Sequence, residues 1–161
     1  MIEQAILKWN ELPLRRKLIF FVLNVGMPLL IGGLLYILTV PTAHISEMIY
    51  QLLNISSPEL NINLVDSFIS CYLSDLLWAY ALYNLIFCIW AEDKKSALMA
   101  TVICIFVEIV VEFLQLTPII DGTFDWNDIT VELFADFLAC VSIYICSVGL
   151  ISTKKGLLNN N

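Results

Sequence analysis

Fifteen Asp and Glu residues occur in this chain of 161, and five of them interrupt long apolar runs: Asp75, Glu108, Glu112, Glu132 and Asp136. A carboxylate at mid-helix costs about 2.5–3.5 kcal/mol on the insertion scale. Five such residues are more than bland packing explains, and intramembrane acids are by default read as a functional site. In lipid a carboxyl group can hold a cation, accept hydrogen bonds from a ligand's hydroxyl or ammonium groups, or exchange protons. Spacing groups them. Glu108, Glu112 and Gln115 follow i, i+4, i+7 and share one helical stripe. Asp128, Glu132 and Asp136 follow i, i+4, i+8 and share another. At about 1.5 Å per residue, Asp75, Glu108 and Asp136 come to one depth, roughly 11–12 Å below the outer boundary. Glu112 and Glu132 form a shallower layer. These acids, with Asp75 joining from a neighbouring helix, are expected to line one cavity open to the outer face.

The elements that must position them are spanning helices. Hydrophobic residues are 60% of the chain and charged residues 14%, against about 45–50% and about 25% in soluble domains. Mean hydropathy is +0.85. This excludes a disordered chain, a coiled coil and an ordinary cytosolic enzyme. A net charge of −7 argues against nucleic acid as a partner. Four stretches reach the roughly 20 apolar residues a crossing needs: about Leu18–Val40, Ser67–Ala91, Ser96–Leu116 and Ile129–Ile151. None alternates as a barrel strand would. The fold class is therefore an all-α integral membrane protein, a four-helix bundle in a single domain. All eight Lys and Arg residues fall on one side if the N-terminus is inside: Lys8, Arg15, Arg16, Lys17, Lys94, Lys95, Lys154 and Lys155. The positive-inside rule then gives an N-in, C-in topology. The first stretch is too long for a signal-peptide core and reads as a span. Gly26-Met27-Pro28 should disturb it.

Two flanking segments are amphipathic and read as interfacial. Ile2, Ile6 and Trp9 share a face before the first span. From Thr42 to Asn54, the residues Ile45, Met48, Ile49, Leu52 and Leu53 form an apolar stripe opposite His44, Glu47, Gln51 and Asn54. This segment is expected to lie on the outer membrane surface or to fold back on the bundle. Ser56 to Asn63, with Pro58, reads as a loop, and Asn159–Asn161 as a loose tail. Cys71, Cys88, Cys104, Cys140 and Cys146 fit neither a redox pair nor a zinc site and read as apolar fillers. His44, the one histidine, has no nucleophile beside it in sequence.

Structural roles compete for some of the acids. Asp125 and Asp128 fit the cap and first turn of the fourth helix. Glu112 and Glu132 lie near headgroup depth. Asp75, Glu108 and Asp136 are too deep for that, and the structural alternative for them is neutral carboxyls joining helices by hydrogen bonds.

Glu112-Phe113-Leu114-Gln115-Leu116, followed by Gly122-Thr123-Phe124-Asp125-Trp126-Asn127-Asp128-Ile129, resembles the VanZ-like family of bacterial membrane proteins. That family typically carries a Glu-x-x-Gln pair ending one span and an Asp opening the next. Glu112 and Gln115 match the pair, and Asp128 matches the opening Asp. The likeness covers residues 112–139 and elsewhere rests on hydropathy. Glu132, Ala135 and Ala139 stand where the family has Asn and Gly, and the outer-loop basic residue is missing, so the chain is similar to a divergent member. The resemblance implies a multi-pass protein of the bacterial inner or plasma membrane. Because the family's namesake is linked to teicoplanin resistance, antibiotic resistance is raised as an associated role. Asp121-Gly122 with Asp125 lacks the rest of a CDP-alcohol phosphotransferase signature, and no Gly-x-Ser-x-Gly elbow occurs.

Three functions follow. The first is an envelope protein whose candidate ligand-binding residues are Asp75, Glu108, Glu112, Gln115, Asp125, Asp128, Glu132 and Asp136. Its partners would be membrane lipids and a cationic, hydroxyl-rich or lipid-linked ligand, with no resident cofactor. The second is a proton-coupled carrier, which at four helices would need a homo-oligomer. The third is an enzyme acting on lipid-linked substrates through carboxylate-bound Mg²⁺ or a carboxyl pair.

Overall fold

In lipid, only a helix satisfies the backbone of an isolated apolar run. The computed structural model describes residues 2–40, 42–56, 67–117 and 123–158, with side chains at 6–40, 42–56, 72–117 and 123–147. Its regular structure is helical, and no strand occurs among the described residues. The elements are α1 (Ile2–Asn10), α2 (Leu14–Phe21), a π-helical turn (Val22–Gly26), α3 (Met27–Thr39), α4 (His44–Leu53), α5 (Ser67–Trp90), α6 (Lys94–Leu114) and α7 (Trp126–Leu158). Four helices are long and apolar enough to cross a membrane: Leu14–Thr39, Tyr72–Trp90, Lys94–Leu114 and Trp126–Ser147. The expected loop from residue 57 onward, Asp121, Gly122 and the Asn tail lie outside the described residues, as does the Cys71 side chain.

The first span begins at Leu14, four residues before the apolar run, because Arg15, Arg16 and Lys17 continue the helix beyond the hydrocarbon. Pro28 has no N–H to give the carbonyl of Asn24, and its ring crowds that carbonyl. The expected disturbance takes the form of the π-helical turn just before it. One turn later, Gly32 lets α3 lie close on α5. A Cβ at this position would come 3.3 Å from Leu77 Cβ and 3.5 Å from the Ser74 carbonyl oxygen. Ser74 Oγ donates to the Gly32 carbonyl at 3.3 Å.

The helix α5 is central and packs against α3, α6 and α7. Small side chains make this possible, since van der Waals contact replaces the hydrophobic effect between helices in lipid. The buried stripe of α6 runs Ala97, Ala100, Cys104, Glu108, Glu112. The facing stripe of α7 runs Glu132, Ala135, Asp136, Ala139, Ile143, Ser147. One end of each stripe is uncharged, and the other is acidic. Cys88, Cys104, Cys140 and Cys146 are free thiols.

Both amphipathic flanks are helical. Ile6 and Trp9 of α1 are covered by protein rather than left at an interface. Trp9 meets Phe20 and Phe87 edge-on, with ring centroids 4.9 and 5.7 Å away. Asn10 Nδ2 donates to the Glu92 carbonyl at 2.7 Å, tying α1 to the turn between α5 and α6. In that turn Asp93 caps α6. Ser96 N–H donates to Asp93 Oδ1 at 2.7 Å and Asp93 N–H donates to Ser96 Oγ at 2.9 Å. The Ser96 N–H, and then the Ser96 hydroxyl donating to the same oxygen at 2.7 Å, hold the Asp93 carboxyl below its ordinary pKa. On α4, Ile45, Met48, Leu52 and Leu53 are exposed, Ile49 is half-buried, and Ser46 is turned inward. Asn54 closes α4 in the left-handed region at φ 53°, which Asn tolerates.

Candidate functional site

The acids converge at the ends of α5, α6 and α7 that adjoin the 115–125 connection. Carboxyl groups are poor company for lipid, and the helices turn them toward one another. Glu108 is 1% exposed, Glu112 2%, Glu132 3% and Asp136 6%. The sequence argument expected a cavity open to the outer face. In this conformation these four are instead enclosed, because the small residues of α6 and α7 let the helices close over them. Asp75, Gln115, Asp125 and Asp128 are half-buried.

All eight sequence-predicted residues belong to this one group. Glu132 interacts electrostatically with Glu112, Asp75, Asp128 and Asp136. Asp75 interacts with Asp128 and Glu112. Gln115 Nε2 donates to Glu112 Oε1 at 2.9 Å, so the i, i+3 pair at the end of α6 is a physical contact. Glu108 interacts electrostatically with Asp136 and Glu132.

What the deep acids lack is donors. Both oxygens of Glu108, both of Asp136, Oε2 of Glu112 and Oε2 of Glu132 are buried without a hydrogen bond from any amide, hydroxyl or basic group among the described residues. An unsatisfied buried polar group costs about 1–3 kcal/mol, and more when charged. Such a cluster asks for protons, a cation or a ligand rich in N–H or O–H groups. Among the described residues no three of His, Cys, Asp and Glu converge in metal-binding geometry.

Asp125 has a different role from the deep acids. It precedes α7 and accepts the backbone N–H of Asn127 at 3.0 Å on Oδ1. Asn127 Nδ2 and the Tyr72 hydroxyl donate to its other oxygen at 3.2 and 3.1 Å. The Asn127 bonds first, and then Tyr72, hold its carboxyl below the ordinary Asp pKa. Its contribution is therefore complete above the ordinary Asp range and is lost as pH falls through the lowered value. Asp128 sits in the first turn of α7, where the helix dipole favours an acid. The capping role expected of Asp125 is thus present beside its place in the acid group.

Aromatic rings frame this end. Phe124 lies 5.6 Å from Phe113 and 5.1 Å from Trp126, centroid to centroid. Trp126 is exposed, as an interface anchor would be.

Sequence reasoning missed the polar partners on α5. Tyr72 is three residues before Asp75 and reaches Asp125. Tyr83 Oη lies 2.8 Å from Thr101 Oγ1, and Cys140 Sγ donates to it at 3.0 Å. The available signal was periodicity: Tyr72, Asp75, Ala79 and Tyr83 recur at i, i+3, i+7, i+11 on one face.

No family model matches the chain, and neither a curated protein nor a solved structure does.

Proposed function

We propose that this is a VanZ-like protein of the bacterial cell envelope, N-in and C-in, whose acidic group receives the cationic or hydroxyl-rich headgroup of a lipid or lipid-linked molecule from the outer side. One observation carries the reading: among the described residues both oxygens of Glu108 and Asp136, and one each of Glu112 and Glu132, are buried with no donor. Ammonium or polyol groups supply N–H and O–H donors, and an ammonium also offsets the charge. The half-buried Asp75, Gln115, Asp125 and Asp128 form the entrance. The exposed apolar side of α4 rests in the outer interface beside it. The segregation of all eight basic residues supports the orientation. A role in resistance to cationic or cell-wall-directed antibiotics belongs to this reading.

The test compares two headgroups that differ in donors. Full-length protein is placed in nanodiscs of equal phosphatidylethanolamine and phosphatidylcholine, then ejected and weighed intact. Wild type should retain phosphatidylethanolamine preferentially, and Glu112→Gln should lose about tenfold of that preference, the scale of a charge-assisted hydrogen bond. Equal retention of the two lipids by wild type would refute the reading for ammonium headgroups. A second arm with an uncharged glycosyl diacylglycerol covers the polyol class.

Proton-coupled transport is favoured by one further observation. Beyond Glu108 and Asp136, the polar side chains continue through Tyr83, Thr101 and Cys140. Proton flux into dye-loaded vesicles that Asp136→Asn abolishes would support that reading over headgroup binding alone.

A further inference from the structure

A separate cleft of about 450 Å³ lies at the opposite, basic end of the bundle, between the first span and α7. Its size is that of a small-molecule site between bundle helices. Leu23 on one helix and Ile145 on the other form its walls, and both are open to the surroundings. Phe20 lies buried within it. The two polar side chains on its floor are already engaged. Asn24 Nδ2 donates to the Phe20 carbonyl at 3.0 Å, and Asn24 Oδ1 accepts from Tyr80. Ser142 Oγ donates to the Ala139 carbonyl at 2.8 Å. The floor thus presents no unmet polar group, and what it offers an occupant is apolar contact.

The rim is different. Arg16 lines the cleft, and its guanidinium acts electrostatically on Cys146 across it. Among the described residues the guanidinium has no carboxylate partner. Lys17, its neighbour, is instead held 5.8 Å over the Trp9 ring. A cation with no carboxylate partner among the described residues stands at the mouth of an apolar, laterally open cleft at a helix end. That pairing of features has the shape of a phospholipid with a negative headgroup: the acyl chain along Leu23, Phe20 and Ile145, the phosphate on Arg16.

We propose that this cleft is a binding site for an anionic phospholipid of the leaflet at the basic end. It is independent of the acid group, which lies at the other end and favours the opposite headgroup charge.

The probe is phosphatidate, which carries negative charge without an ammonium or polyol. Full-length protein is reconstituted in nanodiscs of phosphatidylcholine with a minority of phosphatidate, and the retained lipids are counted by native mass spectrometry. Wild type should retain phosphatidate above its share of the bilayer. Arg16→Gln should cut that preference about fivefold, the weight of one basic residue near an anionic surface. Arg16→Lys should keep most of it. Arg15→Gln, exposed and outside the cleft, should leave it unchanged. Leu23→Trp, which fills the cleft from an exposed position, should lower retention of both lipids. The proposal is overturned if wild type shows no preference. It is equally overturned if Arg15→Gln and Arg16→Gln act alike, which would mark general surface charge, or if Leu23→Trp has no effect.

Discussion

The double substitution Glu108→Met, Asp136→Leu is expected to make the protein more stable while stripping the acid group of its ligand. In ordinary cores, removing a buried polar pair in favour of apolar side chains of similar size is neutral or stabilising by about 1–4 kcal/mol. Here the argument is stronger than for an ion pair, because the two groups bear the same charge when ionised. Both are almost wholly buried, and all four of their oxygens lack a donor among the described residues. Methionine and leucine would pack against Cys104 and Ala139 on the same stripes without that penalty. A gain in stability of about 1–4 kcal/mol is therefore expected in ligand-free detergent, read by denaturant unfolding. Retained acids that cost stability mark a function that stability was given up for. A loss of stability would mean that the carboxyls are structural links between α6 and α7.

Gly32→Leu should have the largest effect in the other direction. The α3–α5 contact leaves 3.3 Å between a Cβ at position 32 and Leu77 Cβ, and 3.5 Å to the Ser74 carbonyl oxygen. A branched side chain there must displace one helix from the other, at about 1–3 kcal/mol for overpacking. The displaced element is α5, and Ser74 directly precedes Asp75. The expected result is a loss of about 2–3 kcal/mol in unfolding free energy, together with weakened headgroup retention. Gly32→Ala should cost under about 1 kcal/mol, since a small relaxation accommodates one methyl. Gly33→Leu is the control, because nothing lies within 4 Å of a Cβ there. If Gly33→Leu and Gly32→Leu were equally harmful, loss of a helical glycine rather than helix approach would be the cause.

Much of this architecture could be read before the structure. The four spans follow from the length of the apolar runs, since lipid leaves the backbone no alternative to helix. Their ends could not be read as well. Hydropathy marks where lipid stops, whereas a helix stops where its last carbonyls and first N–H groups find other partners. So α2 begins at Leu14, before its charged residues, and α7 begins at Trp126 because Asp125 caps it there. The third span ends at Leu114, with Gln115 turned to Glu112.

The grouping of the acids was legible for a similar reason. A fixed rise and a fixed angle per residue convert sequence spacing into depth and face. Enclosure was not, because it depends on how closely α5, α6 and α7 approach, and that is set by pairs of small residues such as Cys104 and Ala139. The π-helical turn and the seating of Trp9 between Phe20 and Phe87 are likewise products of contact. So is the cleft bearing Arg16, which joins residues more than 100 positions apart.

The central claim is that the donorless carboxyls serve a ligand, and what the protein carries out of its own membrane tests it most directly. Full-length protein, extracted gently and weighed intact, should hold a bound species whose fragments include an ammonium or polyol headgroup. Glu112→Gln and Asp128→Asn should elute as folded protein without that mass. An empty wild-type protein, or a bound species retained equally by both variants, would contradict the account.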